Sequence, residues 1–111
     1  MGYYRHRDTP AFYAAMYLLT SNADIYERAA TCFCKRGVEF GYALLRGISS
    51  HNYTLLAAAR SICTGSNGLT AGDLADADVV DPEEFQLIVN ALLIARFGPA
   101  ALHLREGGRT A

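Results

Sequence analysis

Three cysteines and three histidines are the residues of this sequence best suited to bind a metal ion. Cys32 and Cys34 are two positions apart, while Cys63 and the histidines lie far from them along the chain. Structural zinc sites usually space paired cysteines by roughly two to four residues, and residues i and i+2 of a helix point about 200° apart. The spacing favours cysteines that pack in a core, so we expect no metal ion and no cofactor.

Cys34 is also the strongest candidate nucleophile, because Lys35 and Arg36 follow it and nearby cations lower the pKa of a thiol. The predicted position at the end of a helix opposes this effect, and no histidine is close in sequence. We expect His51, next to a predicted N-cap, on the surface and His103, between two leucines, half buried. No catalytic residue and no enzyme activity are predicted. An enzyme that uses Cys34 or a carboxylate stays open as an alternative.

An acidic segment is the most distinctive charged feature of the chain. Its six carboxylates fall within twelve residues that contain no lysine or arginine: Asp73, Asp76, Asp78, Asp81, Glu83 and Glu84. Carboxylates near a helix start cap backbone N–H groups and compensate the helix dipole, and the ligand phasing of a calcium loop is missing. The segment is therefore interpreted as a solvated, capped face, with an acidic docking patch for a basic partner as the alternative.

The basic residues concentrate in the first half of the chain. Residues 1–60 contain 7 basic and 4 acidic side chains (+3), and residues 61–111 contain 3 basic and 7 acidic ones (−4). A candidate basic patch consists of Arg5, Arg7, Lys35, Arg36 and Arg46, and its N-terminal arm alternates with Tyr3, Tyr4 and His6. This charge is far below what phosphate binding usually requires, so nucleic-acid binding is only an alternative.

The composition is that of one globular domain. The chain has 111 residues, of which 51% are apolar and 19% are charged, and this composition argues against a disordered chain. Residues 11–19 form the longest apolar run, which is too short for a membrane helix, and the free cysteines favour the cytoplasm. Seven tyrosines and no tryptophan favour a half-exposed interface, and we expect a homodimer through the first or last helix.

Helix caps and apolar periodicity predict an all-α bundle. The four main helices are expected at about residues 9–20, 22–36, 50–64 and 82–97, with short helices near 38–46 and 71–77. A strand is conceivable only at 78–80. The last long helix is apolar over most of its surface, so we expect the bundle to pack around it. The helical domain is predicted to cover 1–104, with a frayed polar tail at 105–111.

Several of these caps and core positions resemble a family of small proteins associated with mobile elements of Firmicutes, which have no assigned activity. The resemblance covers residues 9–98 and rests on Asp24-Ile25-Tyr26, on Ser49-Ser50 and Gly65 around the 50–64 helix, and on the 81–98 helix with its ending Ala95-Arg96-Phe97-Gly98. It implies no catalytic residue. Together with the apolar surplus, it favours a protein-binding module that inhibits or regulates host machinery, anti-CRISPR proteins being one such class.

Overall fold

The computed structural model describes residues 9–34, 37–65, 69–98 and 100. Each of the five α-helices in these residues begins where a side-chain oxygen accepts a hydrogen bond from a backbone N–H group of the first turn. The capping residues are Thr9, Asn22, Ser49, Thr70 and Asp81. The helices are α1 (Pro10–Leu19), α2 (Ala23–Ala29), α3 (Ser50–Thr64), α4 (Ala71–Ala75) and α5 (Pro82–Phe97).

The all-α bundle is confirmed, and α1, α3 and α5 follow their predicted ranges closely. The prediction of a helix over 22–36 was wrong in its second half. There α2 is followed by a 3-10 turn (Ala30–Cys32) and by a short antiparallel pair of strands, β1 (Phe33–Cys34) and β2 (Gly37–Val38). Residues 78–80, the one place where the sequence left a strand open, form a turn. The short helix near 38–46 is only a 3-10 turn (Phe40–Tyr42), and α4 ends two residues before 77.

The early end of α2 has a local cause and a tertiary cause. Thr31, Cys32 and Phe33 have weak helix propensity, and the pairing of Phe33 with Val38 gives this stretch other hydrogen-bond partners. In addition, the Arg28 guanidinium donates to the backbone oxygens of two residues in the following loop, at distances of 2.9 and 2.8 Å. These acceptors, at positions 44 and 46, hold the loop against α2.

The core is centred on α1, and the prediction that the bundle packs around the 82–97 helix was wrong. Helix α1 packs against both α3 and α5, and its Leu18 and Leu19 are completely buried. Ala14 and Ala15 are also fully buried, and their small side chains let the neighbouring helices approach closely. Helix α5 buries one face and leaves three large apolar side chains exposed, at Phe85, Leu92 and Phe97.

The described helices include none with the length and apolar character needed to cross a membrane. The predicted domain boundary at residue 104 and the predicted tail at 105–111 lie outside the described residues.

Candidate functional site

The N-termini of three helices meet at the first turn of α3. On one side of this turn, Asn52 is buried and contacts the start of α2. Its side-chain oxygen accepts a hydrogen bond from Asn22 Nδ2 at 2.8 Å, and its Nδ2 donates to Asp24 Oδ2 at 2.7 Å. Since Asn22 is also the N-cap of α2, the start of one helix positions the start of the other.

On the other side of the same turn, His51 faces the start of α5. Its Nδ1 lies 3.0 Å from Glu84 Oε2, and its Nε2 lies 3.9 Å from Glu83 Oε1. Glu84 is buried and forms a capping box with Asp81: Glu84 N donates to Asp81 Oδ1 at 2.7 Å, and Asp81 N donates to Glu84 Oε1 at 3.1 Å. We call His51, Asp81, Glu83 and Glu84 the helix junction.

The electrostatics of this region follow from the helix dipoles. Helix α3 has no acidic residue in its own first turn, so the acids of α2 and α5 are what compensate its positive end. The hydrogen bond from Asn52 and then the contact with Arg28 lower the pKa of Asp24 from its ordinary value. That carboxylate therefore stays ionised beside the N-termini of α2 and α3.

The helix junction also groups atoms that are typical metal ligands. One ligand atom each from His51, Asp81 and Glu84 lie within 4.8 Å of one another. Histidine nitrogen combined with carboxylate oxygen suits first-row divalent cations. A structural role is equally visible, since both carboxylates cap α5.

The residues of the predicted acidic segment have different surroundings. Asp73 forms a capping box with Thr70, and Asp76 Oδ1 accepts a hydrogen bond from Asp78 N at 2.9 Å. The acidic side chains that face solvent are Asp76, Asp78, Asp81 and Glu83. Two exposed apolar residues, Val79 and Phe85, lie in the same stretch of chain. Glu84 is buried and directed towards His51, so it does not belong to an exposed partner surface.

A second surface lies between the 3-10 turn at 40–42 and α3. We call it the aromatic groove, and it is lined by Phe40, Leu45, Tyr53, Leu56, Ala57 and Arg60. Tyr42 and Leu44, which precede Leu45 in the loop held by Arg28, are also exposed. This combination of apolar side chains and one cation can bury a partner's apolar residue.

The thiols for which the structure describes side chains are poor nucleophiles. Cys32 is fully buried, and burial, with a further contribution from Glu39, raises the pKa of its thiol. Burial raises the pKa of the Cys63 thiol to about 11. The core position predicted for cysteines is thus confirmed for Cys32, and Cys63 is half-buried. The side chain of Cys34 lies outside the described residues.

The candidate basic patch falls mostly outside the described part of the chain, which excludes Arg5, Arg7, Lys35 and Arg36. Arg46 is described and exposed. His6 and His103 also lie outside the described residues.

His51 was predicted only as a surface residue, and its contact with α5 was missed. The sequence carries half of the signal, since a histidine in the first turn of one helix and a capping box in another are both readable. Their proximity depends on how the two helices pack. Comparison with protein-family models, curated proteins and solved structures gives no match.

Proposed function

We propose that this chain is a small protein-binding module that binds a partner protein at a fixed stoichiometry, as an inhibitor or regulator does. The observation that carries the proposal is the aromatic groove, where apolar side chains stay exposed around one concave surface. Within the groove, Tyr53 is 53% exposed and Leu45 is 47% exposed. Tyrosine gives a large apolar contact area while its hydroxyl stays hydrated, and grouped exposed apolar residues mark interaction sites.

The acidic segment supports a partner with a basic surface. Its four exposed carboxylates lie in the same short stretch of chain as Val79 and Phe85, each 44% exposed. An apolar contact rimmed by charge is the usual composition of a transient interface. The charge raises the association rate for a basic partner and selects against acidic ones.

The resemblance to mobile-element proteins supports bacterial host machinery as the class of partner, with a CRISPR effector as one member of that class.

The first experiment captures partners from a bacterial lysate on the tagged chain and identifies them by mass spectrometry. A groove variant combines Leu45→Ser with Tyr53→Ser, and an acidic variant combines Asp76→Asn with Asp78→Asn. Phe97→Ser is the matched control, because it removes exposed apolar surface outside the groove. Circular dichroism first establishes that all variants are folded.

The proposal expects one protein that binds the wild type and the Phe97→Ser control and that is lost from the groove variant. The purified pair should bind at a fixed ratio in calorimetry, and affinity for the acidic variant should be lower. Capture that is unchanged in the groove variant contradicts the proposal. So does a chain that captures no protein but forms a stable dimer in sedimentation velocity, or one that binds DNA or RNA with a steep salt dependence.

A further inference from the structure

Capping uses only one oxygen of each carboxylate in the capping box of α5. Asp81 Oδ1 and Glu84 Oε1 accept the two backbone hydrogen bonds, and Glu84 Oε2 is the oxygen that lies 3.0 Å from His51 Nδ1. That distance is the length of a hydrogen bond, and two ligands of a tetrahedral ion with bonds of about 2.1 Å are separated by about 3.4 Å, so only a small movement would admit the ion. The capping bonds do not use Glu84 Oε2, so a metal ion can replace the contact between His51 and Glu84 without breaking either capping hydrogen bond.

The charge at the helix junction also favours a cation. Asp81, Glu83 and Glu84 contribute three negative charges, and the first turns of α3 and α5 contain no lysine or arginine. The two helix N-termini oppose this with about half a positive charge each. Three full charges against about one leave the junction clearly negative.

We propose that the helix junction binds a divalent first-row transition-metal ion such as Zn²⁺, with His51, Asp81 and Glu84 as ligands. Imidazole nitrogen combined with carboxylate oxygen selects such an ion over Ca²⁺, which takes oxygen ligands at six or more positions. Water completes the coordination on the exposed side. Glu83, with its side chain 78% exposed and its Oε1 3.9 Å from His51 Nε2, adds negative charge there. This site is independent of the aromatic groove.

The test titrates Zn²⁺ in calorimetry and Co²⁺ in visible absorption into the full chain after treatment with a chelator. The key variant is Glu84→Gln. A capping box accepts either glutamate or glutamine at this position, so the variant keeps the hydrogen bond to Asp81 N and loses the charged ligand. His51→Ala removes the second ligand. Asp78→Asn is the matched control, since it removes an exposed carboxylate of the same segment that is no ligand.

The proposal expects saturable binding of one Zn²⁺ per chain in the wild type and in Asp78→Asn, and its loss in Glu84→Gln and His51→Ala. Circular dichroism without metal should show that all variants are folded. Zn²⁺ should raise the Tm of the wild type and of Asp78→Asn, and it should leave the Tm of Glu84→Gln and His51→Ala unchanged. The Co²⁺ spectrum should lack a thiolate charge-transfer band. The proposal is overturned by absence of saturable binding in the wild type, by binding that persists in the two ligand variants, or by a thiolate band, which would place the ion on the cysteines.

Discussion

Removal of the Asn52 side chain should destabilise the fold more than most substitutions in the first turn of a helix do. Asn52→Ala deletes the acceptor at 2.8 Å from Asn22 Nδ2 and the donor at 2.7 Å from Asp24 Oδ2. A neutral hydrogen bond contributes about 1 kcal/mol and one to a charged group about 1.5–3 kcal/mol. The half-exposed Asp24 regains water, so we expect a loss of about 2–3 kcal/mol in the free energy of unfolding, or about 10–15 °C in Tm.

Urea denaturation of the wild type, Asn52→Ala and Thr54→Ala measures this effect. The Thr54 hydroxyl donates only to Ser50 O of its own helix, so its loss should change stability by less than about 0.5 kcal/mol. A second readout is the Asp24 carboxyl group, followed by NMR against pH. Its pKa should rise in Asn52→Ala, because the Asn52 hydrogen bond is the largest cause of the lowered value. An Asn52→Ala protein as stable as the control, or an unchanged Asp24 pKa, refutes the reasoning.

Three further expectations concern single side chains. Leu18→Ala, at a fully buried position of α1, should cost about 2–5 kcal/mol in urea denaturation, and a loss below about 1 kcal/mol would contradict the central place of α1. In the folded protein at pH 8, Cys63 should react with iodoacetamide far more slowly than in urea, and equal labelling rates in mass spectrometry would argue against its burial. The contribution of the Cys63 thiol to stability is present below its ordinary pKa of 9.0 and should be lost as the pH rises through about 11. Because the folded pKa of Asp24 is lowered, its contribution is present above 3.8 and is lost as pH falls through the folded value. Asp24→Asn should therefore flatten the acid side of a plot of Tm against pH, and an unchanged acid limb would exclude this contribution.

The helix starts could be predicted because capping is local. Thr9, Ser49 and Asp81 each bind an N–H group three residues away, so the sequence window contains the whole interaction. The end of α2 could not be predicted in this way. It depends on the pairing of Phe33 with Val38 and on the reach of Arg28 to a loop 16 to 18 residues further on.

Which helix occupies the centre of the core is another property that apolar content alone does not decide. Helix α5 is apolar around much of its surface, yet it exposes Phe85 and Leu92. Helix α1 takes the central position because Ala14 and Ala15 allow close contact on one side while Leu18 and Leu19 fill the space beside them. Size complementarity between facing helices depends on the packing, so it is visible only once the helices are placed.

The meeting point of the starts of α2, α3 and α5 shows why polar residues gather where helices start. Three positive helix ends repel one another, and α3 brings no acid of its own to the meeting point. Asn52 links its first turn to Asp24 of α2, and His51 links it to the acids of α5. Both residues thus connect the start of α3 to a neighbouring helix. Glu84 divides its two oxygens between these tasks: Oε1 caps the backbone, and Oε2 contacts His51. Glu84→Gln keeps the cap and removes the carboxylate, so it separates the capping role of Glu84 from metal binding.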